Sequence, residues 1–153
     1  MATIHHQVWI NAQVAKVYEA ISTAGGIGTW WDKQTPTQTD RGLVLEHNPG
    51  PEHGVVKLRV VELVPNKRVE WECISTHPKN TPAASWTGTH FFFQITEREN
   101  FAPALVPWAA AIPAMTILDF RHSGWEENSD YFGFCSFAWG EVLQKLQQVC
   151  ESP

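Results

Sequence analysis

Apolar and polar positions alternate along residues 115–125. Thr116, Leu118, Phe120 and His122 fall on one face and Ile117, Asp119 and Arg121 on the other, the two-residue period of a half-buried strand. His122 is the odd member of the inner set. From about Ser129 the period lengthens: Phe132, Cys135, Trp139, Leu143 and Leu146 recur at three and four residues, which gathers them into one apolar stripe of a helix running to the end of the chain. Such a helix needs a sheet to lie on, and the preceding residues read as that sheet.

Residues 3–11 alternate, with Ile4, His6, Val8 and Ile10 against His5, Gln7 and Trp9, and predict a first strand. Asn11 is placed to cap a short helix whose buried stripe is Val14, Val17, Tyr18 and Ile21. Gly25, Gly26 and Gly28 interrupt it. A second brief helical turn ends at Trp30 and Trp31, one of which is expected to plug the core, and residues 34–41 read as loop. Strands follow at 42–47, 55–64 and 67–76, separated by turns at Pro49, Gly50, Pro51 and Gly54 and at Pro65 and Asn66. In the third of these, Val69, Trp71 and Cys73 alternate with Arg68, Glu70 and Glu72, so one face is buried and the other wet. Residues 78–82 make a loop and 85–96 the most apolar strand.

Phe91, Phe92 and Phe93 cannot all point one way, because successive strand side chains face opposite sides. Both faces there need cover. Residues 97–114, far longer than a hairpin loop, are the expected cover; a lid, or a contact for a homodimer or a protein partner, is the functional alternative. The uncharged run 101–118 is 18 residues long, the lower end of membrane-spanning length. Pro103, Pro107 and Pro113 forbid a regular helix, so no span is expected.

One strand, two short helices, five or six consecutive antiparallel strands and a long terminal helix make a single α+β domain over residues 1–153. With 43% hydrophobic residues, a chain of this length buries a sizeable core without staples. The formal charge of −5 and the absence of any Lys/Arg run leave no field for phosphate backbones, so nucleic-acid binding is not expected. Cys73, Cys135 and Cys150 are odd in number and lack CxxC spacing, as suits reduced structural thiols. With a start that lacks the regions of a signal peptide, they point to a cytoplasmic location. Eight Trp, eight Phe and two Tyr supply rings for either a core or the wall of a pocket.

Several local strings, in this order, resemble the START-like or helix-grip (SRPBCC) superfamily, and within it the proteins similar to the activator of the heat-shock-protein-90 ATPase. They are Ile10-Asn11-Ala12, Val17-Tyr18-Glu19-Ala20-Ile21, Trp30-Trp31, Gly88-Thr89, His122-Ser123-Gly124-Trp125, and Trp139 with Leu143 and Leu146. The resemblance spans nearly the whole chain. It implies a curved antiparallel sheet wrapped around the last helix, with a cavity between them that in many members takes an apolar ligand. It carries over no universal catalytic residue, since members include lipid carriers, hormone receptors, aromatase/cyclase components and cochaperones.

The function expected is therefore binding of a small hydrophobic or aromatic molecule between sheet and helix. The wall is expected to be Trp31, Trp71, Phe91, Phe93, Phe120, His122, Phe132, Cys135 and Trp139. His122 is also the candidate for acid/base work in a rival cyclase or hydrolase-like activity, but no inward Asp, Glu or Ser is paired with it. A cochaperone-like interaction module is the other rival. His5 and His6 point to opposite faces, His90 faces away from the cavity, and no ligand set of three forms, so neither metal nor cofactor is expected. Glycine-rich phosphate loops and nucleophile elbows are absent. The residues Tyr131 to Trp139 are aromatic on nearly every side, which calls for cover or a cavity on both sides of the helix start.

Overall fold

A computed structural model describes residues 1–99 and 114–153. Their elements run β1 (Ala2–Ile10), α1 (Val14–Ser22), α2 (Ala24–Ile27), β2 (Thr35–Thr39), β3 (Gly42–His47), β4 (Val56–Val64), β5 (Arg68–Cys73), a 3-10 turn (Pro82–Ser85), β6 (His90–Glu99), β7 (Ala114–Trp125) and α3 (Phe132–Glu151). Seven strands join in the spatial order β1-β7-β6-β5-β4-β3-β2, every pair antiparallel. This is the expected α+β arrangement: a sheet with its helices on one face.

The alternation in β7 sets the inner surface. Phe120 and His122 are fully buried, as are Phe93 and Phe91 opposite them in the β6 register. Trp71 and Val69 continue the same surface on β5. α3 lies across it, burying Cys135, Trp139, Leu143, Leu146 and Cys150. Its hold on the sheet includes polar contacts: His6 Nε2 to the Ser136 carbonyl at 2.9 Å, and the Gln147 amide donating to the Trp9 carbonyl at 2.8 Å. Trp30 plugs the core beneath α1, its indole N–H donating to the Ala20 carbonyl at 2.7 Å.

Three expectations are corrected, and one face of the Phe91–Phe93 run finds cover on the sheet itself. Residues 35–39 form edge strand β2 rather than loop; its first four residues are exposed, so it has no apolar alternation to read, and Pro36 is tolerated because an edge strand has an unpaired side. The first helix is capped by Gln13 without a side-chain bond, while the backbone N–H of Asn11 donates to the Glu151 carboxylate at the end of α3. The strand expected from residue 85 begins at His90, because Pro82 starts a 3-10 turn and Gly88 turns the chain at φ +80°. Phe92, on the outer face, is covered by the Arg68 guanidinium 5.1 Å from its ring and by His90 stacked at 6.0 Å, so β5 and β6 themselves supply that cover. The expected cover, lid or interface at 97–114 falls for the most part outside the described residues.

Gly124 shows why a glycine stands before the last residue of β7. Its φ is +94°, and a Cβ there would meet the Thr89 backbone at 3.4 Å. The close approach brings the Thr89 side chain against His122.

Candidate functional site

The β3–β4 turn, the chain following α2, the 3-10 turn and the first half of α3 enclose a pocket of about 230 Å³ open to solvent. Its apolar wall is Trp31, Trp86, Trp139, Val56, Val142, Ala83 and Ala138, with the Cys135 thiol among them. Each element brings its residue for a local reason. The helical spacing sets Cys135, Ala138, Trp139 and Val142 along one side of α3; Val56 opens β4 on its inward phase; Pro82 nucleates the turn that swings Trp86 inward.

The three indoles are contiguous. Trp31 and Trp139 lie 5.1 Å apart, Trp86 and Trp139 stack at 6.1 Å, and Trp31 and Trp86 sit 6.3 Å apart, centroid to centroid. Burial pushes the Cys135 thiol pKa up, with the Trp86 indole N–H opposing in part, so the thiol stays protonated and behaves as a small apolar group.

The polar side of the pocket is Asp32, His47 and His53. His47 is buried, and its Nδ1 lies 3.0 Å from Gln34 Oε1. The Gln34 amide nitrogen donates to the Asp32 carbonyl at 2.8 Å, which fixes Oε1 as the atom facing His47. The network therefore places the proton on Nδ1 and leaves Nε2 as a bare acceptor. Burial is the main reason the His47 pKa is lowered to about 4; Asp32 opposes it and His77 adds to it. Nε2 lies 3.9 Å from Asp32 Oδ2, beyond a hydrogen bond, so two acceptors face each other across a gap.

Of the nine residues expected to line the cavity, Trp31, Cys135 and Trp139 do so. Trp71, Phe91, Phe93, Phe120 and His122 lie beneath the floor: all five are at most 1% exposed. Consecutive ring contacts pack them solid, with Phe91 stacked on His122 at 3.9 Å and Phe120 against Trp139 at 4.5 Å. Phe132 packs edge-on against Trp125 at 5.6 Å, away from the pocket.

His122 donates from Nε2 to Thr89 Oγ1 at 2.8 Å, because the Thr89 hydroxyl spends its own proton on the Trp86 carbonyl at 2.5 Å. Nδ1 has no partner among the described residues, and burial holds the pKa well below the usual histidine value. It is a neutral ring buried in the core, beneath the pocket rather than in the wall given above. His90 bonds to Glu70 at 2.8 Å on the outer face. His5 bonds to Asp119 and His6 to the Ser136 carbonyl, on opposite faces. Among the described residues no group of three or more His, Cys, Asp or Glu is placed to hold a metal ion.

Sequence reasoning missed Asp32, His47 and Trp86. His47 carried a usable signal, since it follows Leu45 by two residues on the inward phase of β3. Asp32 and Trp86 sit in turns, where no period applies.

A curved antiparallel sheet with a long terminal helix closing over an apolar pocket is the helix-grip fold, the arrangement of START-like (SRPBCC) domains. Within that class the chain resembles activators of the heat-shock-protein-90 ATPase. It is 28% identical to the Aha1 protein of Colwellia psychrerythraea, solved as a dimer in solution, with a TM-score of 0.75 over 99% of this chain and 97% of that one. A Mesorhizobium loti protein has the same fold at 18% identity and a TM-score of 0.70, covering 97% of this chain and 96% of that one. A Bacillus halodurans protein has it at 20% identity and 0.67, covering 99% and 98%. No family model and no curated protein matches the chain. No helix among the described residues is long and apolar enough to cross a membrane.

Proposed function

We propose that this domain binds a small, flat, apolar or aromatic molecule in the pocket between the β3–β4 turn, Trp31 and α3. The observation that carries the reading is the pocket itself: about 230 Å³, walled by three indoles, open to solvent and closed below by a packed floor. That volume is smaller than the usual range for drug-sized ligands and larger than a cavity that holds benzene, which favours one or two fused rings. Such a ligand buries about 150–250 Å², worth about 4–6 kcal/mol before the costs of association.

The test is a thermal-shift and native mass spectrometry screen of one- and two-ring aromatics, run beside Ala138→Phe, which fills the pocket from the face of α3. A concentration-dependent rise in melting temperature in the natural protein, lost in the variant, supports the reading. Equal responses in both, or none in either, overturn it.

A second reading, self-association, is favoured by Phe137, which is 72% exposed on α3, with Phe134, 62% exposed, beside it at the pocket rim. Cover on both sides of the helix start was expected from the sequence; the described residues leave one side bare. The dimer of the Colwellia relative agrees with an interface in this class. Light scattering on the purified chain measures it directly.

A further inference from the structure

We infer that the ligand of this pocket is an arylalkylamine, whose ring lies on the indole wall and whose nitrogen donates at once to His47 Nε2 and Asp32 Oδ2. The inference rests on the binding reading above and names the ligand class for the same pocket.

The two acceptors are 3.9 Å apart, so a single nitrogen can sit about 2.8–3.0 Å from both. It must carry two hydrogens, one for each. A hydroxyl has only one proton to give and a carboxylate none, so an alcohol satisfies half the gap and an acid is repelled by Asp32. The acceptor character of His47 is built in rather than incidental. Gln34 is buried, held by the Asp32 carbonyl, and fixes the His47 proton on the side away from the gap. Burial keeps the ring neutral, so of the two acceptors the Asp32 carboxylate carries the formal charge. That charge favours a protonated amine over a neutral one. The wall agrees: an ammonium at the gap has the Trp31 indole for a neighbour, and tryptophan is the strongest aromatic partner of a cation. Trp31 also packs edge-on against His47 at 4.6 Å, which sets the donor site next to the ring site, at the reach of a short side chain.

The experiment compares ligands of nearly equal shape by calorimetry: tryptamine, 3-ethylindole and indole-3-acetate, each against the natural protein and Asp32→Asn. Asp32 is half-exposed, so its replacement leaves the fold intact, which circular dichroism verifies. Tryptamine is expected to bind at least ten-fold more tightly than either analogue. In Asp32→Asn that advantage falls to two-fold or less, while 3-ethylindole is unchanged. His47→Phe, which keeps a ring of similar size, is expected to weaken tryptamine in the same selective way. If 3-ethylindole binds as tightly as tryptamine, the amine assignment fails and the pocket reading stands. If indole-3-acetate binds best, the assignment fails on charge. If none of the three binds, both readings fall together.

Discussion

Trp31 lies almost flat on Trp71, the ring centroids 6.1 Å apart and the planes within 10° of parallel. One ring belongs to the pocket wall and the other to the closed core beneath it, so their truncations separate binding from stability. Trp71→Ala removes a side chain that is 1% exposed and is expected to cost about 3–5 kcal/mol in chemical denaturation. Trp31→Ala, on a half-buried ring, is expected to cost about 1–2 kcal/mol yet to abolish ligand-induced stabilisation. Equal losses of stability from the two would contradict this division.

His47 makes stability depend on pH. Its folded-state pKa is lowered to about 4 against 6.5 unfolded, so the unfolded chain takes up the proton first on acidification. The stabilisation is complete above about pH 6.5 and drains away as the pH falls towards 4, by about 3 kcal/mol in all. His122 is lowered by burial too and acts in the same direction. Urea midpoints at pH 7, 5.5 and 4.5 should fall steadily in the natural protein and less steeply in His47→Gln.

Among the described residues Thr89 is the acceptor of the His122 Nε2 proton. Thr89→Val keeps the shape and leaves that buried N–H without a partner, at an expected cost of about 1–3 kcal/mol. Gly124→Ala forces a side chain into a left-handed backbone and against Thr89, and should cost about 1–2 kcal/mol. The two variants act on one contact, so a double mutant is expected to be less destabilised than the sum.

Phe134→Ser with Phe137→Ser should leave the unfolding midpoint within about 0.5 kcal/mol of the natural value, since both rings are exposed. If the protein self-associates through this face, the mass from light scattering drops to that of one chain. An unchanged multimer assigns the interface elsewhere.

The fold was legible because its two governing periods were. The alternation through His122 and the stripe from Cys135 to Leu146 each state which face is buried, and the sheet order follows from short antiparallel connections. Edge strand β2 was invisible because a strand with no buried face has no pattern. The site was legible only in part. An inward ring in a strand looks the same whether it meets a ligand or another ring; Phe91 and Trp139 could be told apart only once the packing around each was known. Asp32 and Trp86 owe their place to turns, and His47 its role to a proton set by Gln34, a partner thirteen residues away.

The aromatic floor has a consequence for what kind of protein this is. Because Phe91, Phe93, Phe120 and Trp71 already occupy the space between sheet and helix, no guest can slide deeper than the indoles. A sterol or a long acyl tail seated here would leave most of its length in water and gain little from entering. On the proposed reading the domain is a gauge rather than a container, with room at its rim for a small ring and none beneath it for cargo that needs to be carried.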